Sequence, residues 1–161
     1  MFLFKASGKT YSRVVKQSLH AFPFSPKEAE IGQMVLLSKN REDLMRGEKQ
    51  IQFAAKILSI RPASSAELDE RFPGVAAGER FQYIAELYWL EKFDNEFDLS
   101  QVSGLNYRRY DSVQDFAKLD DADERAMITF LAKRNPRVLA SYINRSDLPE
   151  SLARLYEVDA G

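Results

Sequence analysis

The chain has 161 residues, of which 45% are hydrophobic, so one globular domain with a buried core is expected and a wholly disordered chain is not. It has no cysteine, which excludes a disulfide scaffold, a thiolate nucleophile and a cysteine-ligated metal. The formal net charge is −1, but residues 1–60 carry ten Lys or Arg against five Asp or Glu, and residues 61–161 carry thirteen against nineteen. A basic N-terminal part is compatible with a polyanionic partner, and equally with ordinary solvated charge.

The sequence predicts a cytoplasmic protein with no membrane partner. The apolar run at the N-terminus reaches only Phe4 before Lys5, which is too short for a signal peptide. No stretch approaches the roughly 18 apolar residues of a membrane span. The lack of cysteine fits a reducing compartment.

Apolar runs in the N-terminal part predict three strands and one helix. Helical spacing of apolar residues predicts a helix over Tyr11–Leu19, with Thr10 as its cap. Two prolines predict an extended loop over His20–Pro26, because proline cannot continue a helix. The predicted strands are Phe2–Ala6, Met34–Ser38 and Ile51–Ile60.

The remaining sequence predicts one long strand followed mainly by helices, which is an α+β order. Aromatic and β-branched residues favour a strand over Arg80–Phe93. Acidic residues at the start and basic residues at the end predict a helix over Asp120–Arg134. Shorter elements are predicted as helical turns at Glu67–Arg71 and Asp98–Val102, a turn capped by Ser112 that runs through Phe116 and Leu119, a strand at Leu105–Tyr110, and helices at Arg137–Ile143 and Leu148–Tyr156.

No motif in the sequence assigns a catalytic residue, a metal site or a cofactor. His20 is the only histidine, and no GxSxG context accompanies it. The seven glycines form no phosphate-binding or dinucleotide-binding motif. The adjacent acids that begin with Asp120 are explained by the dipole of the helix that they start. An enzyme that uses a lysine or a carboxylate needs no local signature and stays open.

Aromatic residues beside basic ones are the strongest functional signal in the residues themselves. Bases stack on aromatic rings, and Lys or Arg then holds the phosphates. Phe22 and Phe24 lie in the proline-containing loop, where burial in a core is the weaker explanation. Trp89 lies in a predicted strand, where core packing is the stronger alternative.

Four segments in order resemble the PUA-like superfamily, nearest to its EVE domains and their YTH and ASCH relatives. The opening strand, which ends at Lys5, is followed by Tyr11-Ser12 at the start of a helix. The resemblance covers roughly residues 1–135, and each motif by itself is degenerate. The segments that carry it are FLFKASGKTYS, IGQMVLLSKN, IQFAAKILSI and YIAELYWLEKFDNEFDLSQV.

The resemblance implies a small bent PUA-like β-barrel flanked by helices. Residues 1–135 would form this domain, and residues 136–161 would be a C-terminal helical extension packed on it. The extension lies outside the resemblance, and packing, dimerisation and partner binding are all possible roles for it.

The resemblance also implies a cleft that binds a base. Lys5 and Ser7 would lie beside the bound nucleotide, and a ring from the loop after the first helix would form part of the pocket. The chain departs from the EVE pattern, because Ser7-Gly8 replaces an acidic-proline dipeptide and phenylalanines replace a tryptophan in the loop. The predicted base pocket is Lys5, Ser7, His20, Phe22, Phe24, Ser38, Asn40 and Trp89, with Lys9, Arg13 and Lys39 as phosphate contacts.

The leading hypothesis is a non-catalytic module that binds DNA or RNA and recognises a modified base, flipped out or unpaired, within a restriction-modification or RNA-processing system. A nuclease or helicase subunit is the expected protein partner. The first alternative is a small ASCH-like hydrolase that pairs Lys5 or Lys56 with Glu86. The second is a protein-interaction module whose helices over Asp120–Tyr156 bind another protein.

Overall fold

The computed structural model describes residues 1–23, 25–26, 29–73, 81–111, 113 and 115–143, without the side chains of Lys9 and Ile143. In this part of the chain, the strands form one six-stranded mixed sheet in the order β2-β5-β4-β3-β1-β6. The strands are β1 Phe2–Ala6, β2 Leu19–Phe22, β3 Met34–Lys39, β4 Ile51–Pro62, β5 Tyr83–Phe97 and β6 Phe116–Lys118. The helices are α1 Gly8–Gln17, α2 Ser65–Arg71, α3 Arg108–Asp111, α4 Asp121–Arg134 and α5 Pro136–Ile143.

The sheet curls into a half-barrel. Strands β1 and β3 run parallel, whereas the other pairs are antiparallel. The long β4–β5 pair shifts register three times, and such bulges bend and twist a strand pair. Across the seam between β2 and β6, the rings of Phe22 and Phe116 lie 5.4 Å apart.

The inner face of the curled sheet holds one hydrophobic core. Alternate residues of each strand point inward, as the period of two requires. Helix α1 contributes Tyr11 and Val14, which close one side of this core. Its other buried members are Phe2, Phe4, Ala6, Phe22, Val35, Leu37, Ala55, Ile57, Ala85 and Leu87.

The outer face holds a second core beneath α4 and α5. Met127 and Leu131 of α4 and Val138 of α5 pack there on Leu3, Leu36 and other strand residues. A third, smaller cluster lies beneath α2, where Leu68 and Phe72 contact the outer side of β2 and β5. The sheet is therefore covered by helices on its outer face, and the predicted α+β fold class with a bent, barrel-like sheet is confirmed.

Three short elements differ from the prediction. Residues Leu19–Phe22 form β2, where the end of a helix at Leu19 and a loop from His20 were predicted, because they pair with β5 before Pro23. Residues Phe116–Lys118 form β6 rather than a turn, because they pair with β1. Residues 108–111 form α3, where a strand over Leu105–Tyr110 was predicted. Each of these elements is too short for periodicity to identify.

The longer elements match their predictions more closely. Helix α4 begins after Asp120, whose carboxylate accepts a hydrogen bond from the Asp123 N–H. Helix α1 begins earlier than predicted, with Ser7 rather than Thr10 at its N-cap. The predicted helix Leu148–Tyr156 lies outside the described residues, so the domain boundary at residue 135 stays a prediction. Among the helices described, none is long and apolar enough to cross a membrane.

Candidate functional site

A cleft of about 730 Å³ opens where β1 and β3 end, beside β2. Four predicted site residues line it: Lys5, Ser7, His20 and Asn40. It also contains the first turn of α1, the start of the β3–β4 loop and the segment between α3 and β6. The other lining residues are Ala6, Thr10, Ala21, Pro23, Arg41, Glu42, Gln50, Phe81, Asp111, Val113 and Asp115.

Lys5 brings a cation to the cleft and holds the segment that follows α3. Its ammonium group donates to the carbonyl oxygens of Tyr110 at 3.1 Å, Asp111 at 3.3 Å and Val113 at 2.8 Å. All three of its N–H donors are therefore engaged. Burial lowers the pKa of Lys5, the Asp111 carboxylate raises it, and Arg41 lowers it further.

His20 lies at the seam of the half-barrel and forms part of the cleft wall. Its Nε2 is 3.1 Å from the Lys5 carbonyl oxygen, and its Nδ1 is 3.0 Å from that of Ala21. Its ring stacks on Phe22, with centroids 4.5 Å apart and planes 6° apart. Burial lowers the pKa of His20 to about 4, although both carbonyl contacts favour the cation. His20 is therefore neutral at pH 7.

Polar side chains and one further ring complete the cleft. Ser7 Oγ donates to Thr10 Oγ1 at 3.3 Å, in the first turn of α1. Phe81 is half-buried, lines the cleft together with Pro23 and Ala21, and also packs against the cluster beneath α2. These groups supply both hydrogen bonding and a stacking surface.

The charges in the cleft are nearly balanced. Arg41 pairs with Asp111 at 3.2 Å, and Glu42 and Asp115 add two more carboxyl groups. Burial raises the pKa of the Asp115 carboxyl. Two cations against three carboxyl groups do not form the strongly basic groove that tracks a phosphate backbone.

Two predicted pocket residues are buried and do not line the cleft. Phe22 is 0% exposed, since β2 turns it inward against Phe4 and Phe116 and the His20 ring covers it. Ser38 is 1% exposed and lies next to Lys5 in the β1–β3 register. Its hydroxyl has no hydrogen-bond partner among the described residues. The structure therefore corrects both placements.

Trp89 lies away from the cleft, beneath α5. Its indole Nε1 donates to Ser141 Oγ at 2.8 Å, and its ring lies 4.8 Å from the ammonium of Lys56. That ammonium also lies 5.5 Å from the Tyr142 ring. The placement of Trp89 in the base pocket is therefore also corrected.

The predicted phosphate contacts lie outside the cleft or are engaged elsewhere. Arg13 is on α1, and its guanidinium donates to the Pro73 carbonyl at 3.1 Å. Lys39 forms an ion pair with Glu48 at 2.8 Å and is largely covered. The side chain of Lys9 and the whole of Phe24 lie outside the part that the structure describes.

The lysine–glutamate pair of the hydrolase hypothesis is not assembled. Glu86 accepts from Arg61 Nε at 3.1 Å, Lys56 is buried beneath α5, and Lys5 is in the cleft. The carboxyl groups of Asp111 and Asp115, and not that of Glu86, line the cleft together with Lys5. No group of three metal-ligating side chains occurs in the described ranges.

Sequence reasoning missed several cleft residues. Arg41 and Gln50 had a usable signal, because each lies at the end of a predicted strand, where side chains of neighbouring strands meet. Asp111 and Asp115 had none, since β6 and α3 were not predicted. Phe81 was assigned to a strand that begins only at Tyr83.

Comparison of folds finds solved structures of an ASCH protein from Zymomonas mobilis. Two of its point variants match with TM-scores of 0.59, at 11% and 10% identity, over 80% of this chain and 96% and 94% of theirs. The protein under its plain name matches with a TM-score of 0.54 at 10% identity, over 80% of this chain and 93% of that one.

Sequence comparison adds nothing to this likeness, because no protein-family profile and no curated protein sequence matches the chain. At such low identity, the structural matches establish the fold and not the activity. The nearer likeness to EVE domains stays a prediction. The described part of the chain therefore has an α+β fold similar to that of the ASCH protein.

Proposed function

We propose that the cleft binds a single unpaired or flipped-out base of a nucleic acid, with modified bases as the ligands of first interest. The observation that carries the proposal is the composition of the cleft: about 730 Å³ lined by two rings, several neutral polar groups and balanced charges. That volume lies in the usual range of small-molecule sites, roughly 300–1,000 Å³. A base removed from its stack needs an apolar face and a few groups that read its edge.

The nearly balanced charges of the cleft favour binding of the base inside it, with the phosphate backbone of the nucleic acid outside. Lys5 and Arg41 oppose Glu42, Asp111 and Asp115, so an anionic strand gains little inside the cleft. Phosphates would lie outside, along α1, where Arg13 is available at the cost of its bond to Pro73. A cytoplasmic location, predicted from the N-terminal run and the lack of cysteine, and a nuclease or helicase partner, suggested by the sequence resemblance, remain parts of this proposal.

Fluorescence anisotropy with short single-stranded RNA and DNA, unmodified and modified, tests the proposal. Phe81→Ala is expected to weaken binding by about 1–3 kcal/mol, because one base loses its stacking face. Phe130→Ala on α4 is the matched control, since that ring packs on the outer core and Phe97. The proposal fails if no oligonucleotide binds, or if both variants weaken binding equally.

A second candidate is a hydrolase that uses the Lys5 amine in the same cleft. It is favoured by the pKa values of two lining residues, because burial lowers the pKa of Lys5 and raises the pKa of Asp115. Such paired shifts are typical of acid–base sites. A screen of nucleoside and amide substrates should show activity that Lys5→Met abolishes. Activity retained in Lys5→Met would exclude this use of Lys5.

A further inference from the structure

Gln50 is a largely buried polar side chain in the lining of the cleft. It lies directly before β4 and is only 4% exposed. Its backbone N–H donates to Asp98 Oδ1 at 2.9 Å, and its carbonyl oxygen accepts from the Lys39 N–H at 3.0 Å. Its side-chain Oε1 accepts from the Leu99 N–H at 3.4 Å.

These bonds fix which way the carboxamide faces. A backbone N–H is a donor and needs an acceptor, so the oxygen of the amide must lie toward Leu99. The Nε2 group therefore points away from Leu99. It makes no hydrogen bond to any residue in the described ranges, although Gln50 lines the cleft. The Nε2 group is not among the fully buried side-chain atoms without a partner, so its hydrogen bonds are open to solvent or to a ligand in the cleft.

Three other donor side chains of the cleft are already engaged. The three N–H groups of Lys5 go to carbonyl oxygens, and Arg41 pairs with Asp111. The His20 Nε2 lies against the Lys5 carbonyl. Among these fixed groups, the Gln50 amide is the one whose donor is left for a ligand.

We propose that Gln50 sets the specificity of the cleft by donating a hydrogen bond from Nε2 to an acceptor atom on the ligand, a carbonyl oxygen or a ring nitrogen on the edge of the base. This inference rests on the proposed base-binding function. A site built to donate rejects an analogue in which the acceptor is replaced by C–H, because the donor that the ligand covers is then left unpaired. Gln50 thus reads one position of the base edge, while Phe81 supplies stacking without selectivity.

Gln50→Glu is the sharpest test, because it keeps an oxygen for the Leu99 N–H and turns the donor into an acceptor. Titration calorimetry with the 5′-monophosphates of adenosine, guanosine, cytidine and uridine should show roughly 10- to 100-fold weaker binding of the best ligand. Gln33→Glu is the matched control, since its Oε1 also accepts a backbone N–H, from Glu30 at 2.7 Å, outside the cleft. It should bind like the unsubstituted protein.

A second measurement does not depend on the variant folding. In ¹⁵N–¹H spectra of the unsubstituted protein, the side-chain amide signal of Gln50 should shift on addition of the best nucleotide, and should shift less with its analogue that lacks the acceptor. If Gln50→Glu binds the best nucleotide as tightly as the unsubstituted protein, or if the Gln50 amide signal does not move when that nucleotide is added, the inference is overturned. The proposed function would still stand. No binding of any of the four nucleotides, together with none of the oligonucleotides, removes the proposed function and the inference with it.

Discussion

At the scale of single residues, the buried His20 at the seam of the half-barrel makes the stability of the fold depend on pH. A neutral imidazole has one N–H, which the Lys5 carbonyl accepts in the tautomer protonated at Nε2. A proton added to the ring must be held in a buried site stacked on Phe22, and burial lowers the pKa to about 4 from 6.5. Protonation is therefore coupled to unfolding of the chain.

We expect the free energy of unfolding to fall as the pH drops below 6.5. The folded pKa is lower than the unfolded one, so the unfolded chain binds more protons between these values and stability is lost toward acid. The full contribution is present above pH 6.5, and the loss at pH 5 should be about 2 kcal/mol. Urea unfolding at pH 7.5, 6.5, 5.5 and 5.0 measures it.

His20→Phe is the control, because it keeps a ring against Phe4 and Phe22 and cannot titrate. Its stability should be flat over the same range, since carboxyl groups titrate mainly below about pH 4.5. Equal acid sensitivity in both proteins would contradict the assignment, because His20 is the only histidine of the chain.

At the scale of elements, α5 is fastened to the sheet by one side of its surface. Ser141 accepts from Trp89, Tyr142 lies over the Lys56 ammonium, and Arg137 binds Asp94 at 3.0 Å. Trp89 has a positive φ of 50°, which an L-residue adopts at a cost, at a bulged stretch of the β4–β5 pair. The contacts beneath α5 stabilise that conformation.

Ser141→Ala should loosen this contact. It leaves the indole N–H without its acceptor, so the expected loss of stability is about 1–2 kcal/mol. Trp89 is the only tryptophan, so its emission reports directly on α5 and should shift to longer wavelength. Ser103→Ala, at an exposed position, should change neither the urea midpoint nor the emission. An unchanged spectrum in Ser141→Ala would contradict the fastening of α5 through this bond.

The elements that the sequence predicts are those with enough residues for a pattern. The period of two in Ile51–Ile60 and the caps of α4 are local properties, so they can be recognised without the fold. Strands β2 and β6 exist because β5 and β1 offer partners, which no local pattern records. The same limit applies to the cleft. Lys5 and Asn40 lie at predicted strand ends, whereas Asp115 reaches the cleft only through β6.

Long-range strand pairing also explains why Phe81, and not the predicted Phe22, lines the cleft. Sequence reasoning placed Phe22 in an outward loop, but pairing of β2 with β5 turns the ring into the inner core. Lys5 was expected beside the bound nucleotide, yet the carbonyl oxygens of Tyr110, Asp111 and Val113 take its donors. Such contacts join residues more than a hundred positions apart and have no signature in the sequence.

At the scale of the whole molecule, the two cores share the same strands. Ala54 and Phe93 of β4 and β5 face the outer core, and Ala55 and Leu87 face the inner one. Damage to either core is therefore transmitted through the sheet, and the cleft lies at the end of that shared sheet. This arrangement predicts a single cooperative unfolding transition.

Leu131→Ala tests this coupling from the side opposite the cleft. Leu131 is 0% exposed in the outer core, so its truncation should cost about 2–5 kcal/mol. Ile128→Ala on the same helix is the control, because Ile128 is 38% exposed and should lose far less. Urea unfolding is followed by far-UV circular dichroism, by Trp89 emission and by the His20 ring signals in NMR spectra. The three midpoints should shift together in Leu131→Ala, because the outer core cannot open without the strands that carry the seam. A His20 midpoint that stays in place while the Trp89 midpoint falls would show that the two cores unfold independently.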